Sequence, residues 1–241
     1  MGLNGNQLKL IAVVTMLIDH IGYLIVGEGL GVATVTGKLD LDWVPTLYTV
    51  LRSIGRIAFP IFCFLLVEGF FHTKNRKKYA VRLGIFALIS EIPFDVFCTG
   101  KLVEWQVQNV MITLLLGLIM KEILENMKKE NKFFLQMLVI LLFVVISWGL
   151  RSDYHYIGIM LIALFYLFHE NRKKACMAGF LWMAVTAQAF WFYPGLIVSF
   201  LLLVLYNGQK GKGRGGYGFY LFYPVHMLAL YFIFYLCFPI V

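Results

Sequence analysis

Charged residues are scarce in this sequence. Of its 241 residues, 21 are Lys or Arg and 13 are Asp or Glu, so 14% are charged, against about 25% in soluble domains. Hydrophobic residues make up 61%, and the mean hydropathy is +0.80. This composition leaves no room for a separate soluble domain. It predicts one integral membrane domain over residues 1–241.

Cysteine and the common ligand-binding motifs are also scarce. Cys63, Cys98, Cys176 and Cys237 lie in apolar segments without C-x-x-C spacing, which is typical of small apolar residues rather than of a disulfide framework or a metal site. A bridge between Cys98 and Cys237, near the same membrane face, is the one alternative left open. No G-x-x-x-x-G-K-[ST] pattern is present, so the glycines of residues 208–216 do not form a phosphate-binding loop. No internal repeat is visible, which argues against an inverted-repeat transporter.

Long apolar runs dominate what is present. A helix that crosses a hydrocarbon core of about 30 Å needs roughly 20 residues, and fewer where polar groups are shielded inside a bundle. The sequence predicts an all-α, polytopic transmembrane helix bundle. Its nine predicted spans are 8–26, 47–71, 79–98, 107–125, 133–150, 155–169, 175–191, 193–206 and 219–239.

The basic residues give an orientation. The formal net charge is +8, and Lys and Arg concentrate in the connectors after spans two, four, six and eight. By the positive-inside rule these connectors are cytoplasmic, which places the amino terminus inside and the carboxyl terminus outside the cytoplasmic membrane. Residues 207–216 are predicted to be a flexible cytoplasmic linker before the last span. This distribution indicates contact with the lipid bilayer and argues against nucleic acid as a partner.

Several ionisable residues lie inside predicted spans, where each must face protein or a water-filled cavity. Span one carries Asp19 and His20, span two carries Arg52, Arg56 and Glu68, and span three carries Arg82, Glu91 and Asp95. The two arginines of span two are four residues apart, as are Glu91 and Asp95, so each pair shares one helix face. Pairing between these two helices is therefore expected.

Some of these ionisable residues are expected at the same depth in the membrane. At 1.5 Å per residue, His20, Arg56 and Glu91 are expected in one layer in the outer half of the membrane. The two arginines of span two and the two acidic residues of span three can neutralise one another in a buried structural network. A structural role and a functional role for these four residues are therefore both open. His20 favours function, because a neutral histidine needs no ion pair and titrates near neutrality. Asp19 diverges from its neighbour on a helix, so we expect it to pair with an arginine instead.

Further polar residues border this layer or the membrane faces. Asn109, Asp153 and Tyr154 are expected at the external edge, and Tyr223 and His226 approach the layer from the last span. A basic cluster follows span two at the cytoplasmic side. It either determines topology or binds the phosphates of an anionic donor, and it comprises Glu68, His72, Lys74, Arg76, Lys77, Lys78 and Arg82.

Blocks of this sequence resemble the TraX family. They are Leu17-Ile18-Asp19-His20-Ile21-Gly22, Ile54-Gly55-Arg56-Ile57-Ala58-Phe59-Pro60 running on to Glu68-Gly69-Phe70-Phe71-His72, Ser90-Glu91-Ile92-Pro93-Phe94-Asp95, and Phe222-Tyr223-Pro224-Val225-His226. Asn109-Val110, Asp153-Tyr154 and Tyr156 to Gly158 extend the likeness over nearly the whole chain. The family is also distantly similar to membrane acyltransferases that modify sugars across the membrane.

The resemblance implies an activity and roles. The named TraX protein acetylates the amino terminus of conjugative pilin, which implies acetyl-CoA as the acyl donor and an extracytoplasmic or membrane acceptor. His20 and Arg56 match the histidine and arginine of the similar acyltransferases. Together with the buried charges described above, this gives a predicted catalytic set of His20, Arg56, Arg52, Glu91, Asp19 and Asp95. The predicted donor-binding set is the basic cluster with Tyr223 and His226. The predicted acceptor-binding set is Asn109, Asp153 and Tyr154.

Two other functions fit the same residues. A proton-coupled transporter uses buried Asp, Glu and His residues equally well. A non-enzymatic assembly factor for secreted subunits needs only a membrane scaffold. Turnover of acetyl-CoA distinguishes the enzyme from both.

Overall fold

The structure, a computed structural model, describes residues 2–37, 39–128, 132–211 and 217–238. These residues form helices and no strands, with two isolated bridges, Leu3 to Tyr206 and Gln108 to Ser152. The helices are α1 (Gly5–His20), a π-helical segment (Ile21–Gly31), α2 (Val32–Val35), α3 (Val44–Gly55), α4 (Ala58–His72), α5 (Arg76–Thr99), α6 (Val110–Lys128), α7 (Phe133–Gly149), α8 (His155–Leu167), α9 (Arg172–Val185), a short 3-10 turn (Phe190–Phe192), α10 (Tyr193–Val204) and α11 (Gly218–Cys237).

Each predicted span contains a helix, but among the described residues three stretches are long and apolar enough to cross a membrane on their own. They are Gly5–Val35, Val44–His72 and Gly218–Cys237, of 31, 29 and 20 residues. Shorter apolar helices such as α8, with 13 residues, rise only about 20 Å at 1.5 Å per residue. The all-helical class and the membrane character are therefore confirmed, while nine crossings and their orientation stay predictions.

The first helix runs further than predicted and changes geometry at His20. Asn4 caps its amino terminus in a capping box with Gln7. The π-helical segment begins directly after His20. Such segments are rare in proteins, and those that occur often lie at functional sites. Gly22 lies so close to α3 that a Cβ atom there would come within 2.8 Å of Leu51 Cβ. This contact brings the start of the π-helical segment, directly after α1, against α3.

The second predicted span is two helices. Backbone N–H groups of Arg56 and Ile57 donate to Ser53 and Ile54, three residues back, at 3.1 Å, so the α-helical register ends there. Pro60 lacks an N–H group and clashes with the carbonyl four residues earlier, which is that of Arg56. The break places Arg56 at the carboxyl end of α3, where the helix dipole favours a cation.

The chain forms two compact units. The first unit comprises Met1–Ile61, Pro93–Leu102 and Ala187–Val241; the second comprises Phe62–Ile92 and Val103–Thr186. Helix α5 contributes to both, and its division falls at Pro93, an internal proline of the kind that bends helices. Many large apolar side chains remain exposed, among them Leu88, Phe134 and Phe190, as expected of surfaces that face lipid.

The cysteines and the predicted linker are the remaining features. All four cysteines are free; Cys63 and Cys176 are buried, Cys98 is half-buried and Cys237 is exposed. Residues 212–216 of the predicted linker lie outside the described residues. Its beginning is tied to the amino terminus, because the N–H groups of Gly5 and Asn6 donate to the carbonyls of Gln209 and Lys210. The flexibility of the linker stays a prediction.

Candidate functional site

Asp19 joins two arginines in the first unit. Its Oδ2 lies 2.6 Å from Nη1 of Arg52, and its Oδ1 lies 3.0 Å from Nη2 of Arg56. Asp19 is only 9% exposed. The pairing of Asp19 with arginine agrees with the sequence prediction, and one carboxylate serves both cations. The triad therefore carries a formal charge of +1 in a largely buried place.

Close helix packing makes this triad possible. Arg52 and Arg56 lie one turn apart, and Gly55 between them has no Cβ, so the Asp19 carboxylate occupies the space that a Cβ would fill. Gly195 of α10 similarly admits the Ser53 carbonyl oxygen. Any larger residue at either glycine would force the helices apart.

Aromatic rings cover the two guanidinium groups. Arg52 lies 5.5 Å from the Tyr23 ring centroid, and Arg56 lies 4.9 Å from that of Phe192. These cation–π contacts stabilise cations in a place with little water. The rings also fix the direction in which each guanidinium points.

His20, the next residue after Asp19, pairs with a second histidine. Its Nδ1 lies 2.6 Å from Nε2 of His226 on α11, and Nδ1 of His226 lies 2.6 Å from the carbonyl oxygen of Phe222. The two imidazole planes differ by 3°. Phe97 and Tyr223 border the His20 ring, with centroids at 5.0 and 6.4 Å. The approach of the last span to His20 is thus as predicted.

The predicted acidic residues of span three lie in different units. Asp95 belongs to the first unit and is 2% exposed. Glu91 belongs to the second unit, where the Asn109 amide donates to its carboxylate. The Asp19 carboxylate binds both arginines because α1 packs directly on α3. The expected pairing of these arginines with the acidic residues of span three stays a prediction.

The residues predicted to bind an acceptor have structural contacts in the second unit. The buried Asn109 amide donates to the Ala87 carbonyl at 2.8 Å and accepts from the N–H of Met111 at 2.9 Å, which holds the start of α6. The Thr113 hydroxyl donates to the Asp153 carbonyl oxygen. Tyr154 has a φ of 60° directly before α8. These contacts give each of the three residues a structural role that does not involve an acyl acceptor. Their role in binding the acceptor substrate stays a prediction.

The basic cluster after α4 divides into engaged and exposed side chains. Arg76 lies 3.6 Å from the Glu122 carboxylate and 4.1 Å from the Phe70 ring centroid, and Nδ1 of His72 donates to the Glu68 carbonyl at 2.8 Å. Arg82 lies over the Tyr79 ring at 5.7 Å. The exposed members are His72, Lys74, Lys77 and Lys78, and the three lysines are those without a contact described above. Asn75 caps α5 by accepting from the backbone N–H of Lys78.

Sequence reasoning missed a buried lysine in the second unit. Lys121 of α6 is 0% exposed, and its ammonium donates to the Val67 carbonyl at 2.9 Å. The ammonium also lies 3.7 and 3.5 Å from the ring centroids of Phe70 and Phe71. A position near a predicted span end suggested nothing unusual, because lysines there commonly extend to the interface.

Further pairs surround this lysine. Nε2 of His169 lies 3.0 Å from a Glu68 carboxylate oxygen, and the Tyr166 hydroxyl donates to Glu125 at 2.9 Å. The four-residue spacing of Lys121 and Glu125 on α6 was the available sequence signal. We call Glu68, Lys121, Glu125, Tyr166 and His169, with the rings of Phe70 and Phe71, the Lys121 cluster. We call Asp19, His20, Arg52, Arg56 and His226 the His20 cluster.

The His20 cluster has the groups that acyl transfer requires. An imidazole can take a proton, and guanidinium groups can stabilise an oxyanion. Among the described residues, no group of three or more His, Cys, Asp or Glu side chains is arranged to hold a metal ion.

Known proteins similar to this chain come from bacteria. The family model described as TraX protein matches residues 4–234. A probable fimbrial assembly protein of Dichelobacter nodosus, FimC of serogroup H1, is 31% identical over 93% of this chain and 93% of its own length. An uncharacterized protein of Rickettsia prowazekii is 28% identical over 71% of this chain and 59% of its own length. No solved structure matches the chain.

Proposed function

The chain belongs to the TraX family, and we propose that it is a membrane-embedded acetyltransferase. It moves an acetyl group from cytoplasmic acetyl-CoA to an extracytoplasmic or membrane acceptor amine or hydroxyl. One observation carries the proposal: His20 directly follows the aspartate that gathers Arg52 and Arg56. The base therefore follows, by one residue of α1, the carboxylate that orients both cations in a largely buried place.

In the proposed reaction His20 is the general base. It takes a proton from the acceptor N–H or O–H, and the nitrogen or oxygen attacks the thioester carbonyl carbon of acetyl-CoA. The C–S bond then breaks, and the leaving thiolate takes the proton from His20 to give the free thiol of coenzyme A. General base catalysis of this kind contributes about 10²–10⁴-fold to the rate.

The arginines stabilise the negative charge that develops on the thioester carbonyl oxygen. Guanidinium N–H groups of Arg52 or Arg56 donate to the oxyanion or to a carboxylate of the acceptor. Asp19 holds both guanidinium groups in place and balances part of their charge. Asp95, in the same unit, is proposed to balance part of the positive charge of the two arginines. Glu91, in the other unit, orients the Asn109 side chain, whose amide donates to its carboxylate.

Donor binding is a separate part of the proposal and rests on the basic cluster. Lys74, Lys77 and Lys78 are exposed around the first turn of α5, where the helix dipole also favours anions. Their ammonium groups are suited to bind the phosphates of coenzyme A. His72, Arg76, Arg82 and Glu68 hold the loop between α4 and α5 in place. The predicted role of Tyr223 beside the donor has the support of its position next to His20.

The proposed topology is that of the sequence prediction. Nine spans place the amino terminus in the cytoplasm and the carboxyl terminus outside the cytoplasmic membrane. The basic cluster is then cytoplasmic, which suits a cytoplasmic donor. Cysteine labelling of Lys77→Cys in intact cells tests this, with protection from an impermeant reagent expected.

The relatives point to the kind of acceptor. A relative named as a fimbrial assembly protein supports a pilus-related role, so a pilin-like amino terminus is the first acceptor to test, followed by a glycan or small molecule. The same name supports a second candidate, a non-enzymatic assembly factor. That candidate requires no turnover of acetyl-CoA.

The deciding experiment compares purified wild type with His20→Gln. We expect acceptor-dependent release of coenzyme A from the wild type and a loss of about 10²–10⁴-fold in His20→Gln. The matched control is His155→Gln, on α8 of the second unit, which should keep the wild-type rate. Thermal unfolding in detergent shows whether each variant is folded.

Three outcomes contradict parts of this proposal. Full turnover by folded His20→Gln would remove His20 from the base role. Substrate-dependent proton flux into liposomes without acetyl-CoA would indicate transport. A wild-type protein that restores fimbriae to a deletion strain while no acetylated species disappears on deletion would favour the assembly factor.

A further inference from the structure

The structure assigns His226 as the positioning residue of His20, fixing the tautomer in which Nε2 of His20 takes the proton. This inference rests on the proposed function and goes beyond the predicted donor-binding role of His226. It follows from two hydrogen bonds in series along Phe222, His226 and His20.

The first bond fixes the proton of His226. The Phe222 carbonyl oxygen is an acceptor only, and it lies 2.6 Å from Nδ1 of His226. Nδ1 must therefore carry hydrogen and donate. The carbonyl belongs to the preceding turn of the same helix, so this arrangement does not depend on any other element.

The charge of His226 determines its other nitrogen. The ring is 6% exposed, and aromatic rings surround it, with the Phe222 and Tyr223 centroids at 4.6 and 5.9 Å. A buried charge without a partner is costly, whereas a neutral imidazole is not. With hydrogen on Nδ1, neutral His226 has an acceptor lone pair on Nε2.

The second bond transfers this constraint to His20. The distance from Nε2 of His226 to Nδ1 of His20 is 2.6 Å, the ring centroids are 4.9 Å apart and the planes differ by 3°. Parallel rings whose centroids are this far apart for so short a bond meet edge to edge, so the bond lies in the plane of both rings. Nδ1 of His20 must donate, which leaves its lone pair on Nε2. Within the described residues no hydrogen bond involves that atom. Nε2 is thus the open, basic atom of the pair.

This tautomer suits a general base. A base that is held by a third group is the usual arrangement for activating a nucleophile. When Nε2 takes the acceptor proton, His20 becomes an imidazolium, and its Nδ1–H bond to His226 becomes charge-assisted and stronger. His226 stabilises that state without adding a second negative charge next to the Asp19–arginine triad. The proton then leaves from Nε2 to the thiolate.

Two substitutions test this role. In His226→Gln the side-chain carbonyl oxygen can replace Nε2 as acceptor, while His226→Leu removes the acceptor. We expect kcat to fall about 10- to 100-fold in His226→Leu, as for other groups that orient a functional histidine, and to recover in part in His226→Gln. The KM for acetyl-CoA should not change, because His226 acts through His20. His155→Leu is the matched control.

A spectroscopic readout separates this inference from the proposed function. In ¹⁵N-histidine-labelled protein, with resonances assigned by single substitution of the five histidines, His20 should show hydrogen on Nδ1 and none on Nε2. In His226→Leu the ring should shift toward the Nε2–H form. This measurement does not require turnover, so an inactive protein would refute the acetyltransferase while leaving the tautomer decided.

The contrary results are equally definite. A wild-type His20 with hydrogen on Nε2 overturns the inference, whatever the activity. A raised KM for acetyl-CoA with unchanged kcat in the folded variants would assign His226 to donor binding. If His226→Leu does not fold, the wild-type spectrum and the kinetics of His226→Gln still decide.

Discussion

The two units each contain a buried polar cluster, and the clusters differ in how their charges are paired. In the Lys121 cluster the ammonium is held by a backbone carbonyl and two rings, and the carboxylates of Glu68 and Glu125 accept from a histidine and a tyrosine. In the His20 cluster the single carboxylate of Asp19 serves two arginines, and among the described residues no hydrogen bond involves Nε2 of His20. Nδ1 of His169 is likewise without a hydrogen bond there, but its cluster includes no arginine. Ionisable residues in a span therefore do not by themselves mark a reactive site; we expect one where an unbonded imidazole nitrogen occurs with oriented guanidinium groups.

The largest effect on stability should come from Asp19→Ala. The substitution leaves two largely buried arginines without the carboxylate they share, and breaking a buried ion pair costs about 3–5 kcal/mol. Thermal or denaturant unfolding in detergent measures the loss. Asp42→Ala, at an exposed aspartate, is the control and should change stability by no more than about 0.5 kcal/mol.

A second substitution sharpens this result. If the cost comes from unpaired charge, then adding Arg52→Met to Asp19→Ala should restore part of the stability, because the two residues are directly coupled. Equal costs for Asp19→Ala and Asp42→Ala would show that the triad does not stabilise the first unit.

The next effect tests the Lys121 cluster. Lys121→Ala removes a fully buried side chain and the donor to the Val67 carbonyl, with an expected cost of about 2–4 kcal/mol. Lys121→Met keeps most of the volume and should cost less, because apolar replacements of buried charges are often tolerated. Once folded, both variants should retain acetyl transfer. Loss of transfer in stable Lys121→Met would break the distinction between the two clusters.

Much of the fold was predictable because long apolar runs alternate with short basic connectors along the sequence. Each predicted span contains a helix, since runs of Leu, Ile, Val and Phe favour helices wherever backbone groups must satisfy one another. The boundaries were less accurate. The extension of the first helix to Val35 and the break at Arg56 depend on a π-helical segment and on Pro60, whose effects are local.

The candidate site was predictable only in part. Divergence of adjacent side chains on a helix correctly separated Asp19 from His20. The same argument paired Asp19 with an arginine, but spacing did not predict that its one carboxylate binds both arginines. That arrangement depends on the absence of a Cβ at Gly55. The contact of His226 with His20 joins residues 206 positions apart, which no local pattern encodes.

A smaller effect should separate the helix contacts of the two units. In Gly195→Ala the new Cβ would clash with the Ser53 carbonyl oxygen and lie 3.0 Å from Arg56 Cβ, and overpacking against backbone costs about 1–3 kcal/mol. In Gly117→Ala the new Cβ meets the end of the Ile162 side chain, which can change rotamer. Gly195→Ala should therefore be the less stable variant, and it alone should also reduce acetyl transfer by displacing Arg56. Equal stability of the two would mean that α10 can move away without cost.

The smallest effect concerns one hydrogen bond. Tyr166→Phe removes the hydroxyl that donates to Glu125 at 2.9 Å, and side-chain hydrogen bonds between membrane helices average about 0.6 kcal/mol. Tyr156→Phe, on the same helix at a tyrosine that is 39% exposed, should cause no measurable change in unfolding. Neither variant should change kcat, because the proposed reaction takes place at the His20 cluster and the loss of one bond in the Lys121 cluster only weakens packing. A fall in kcat in Tyr166→Phe at unchanged stability would therefore place the Lys121 cluster in the reaction.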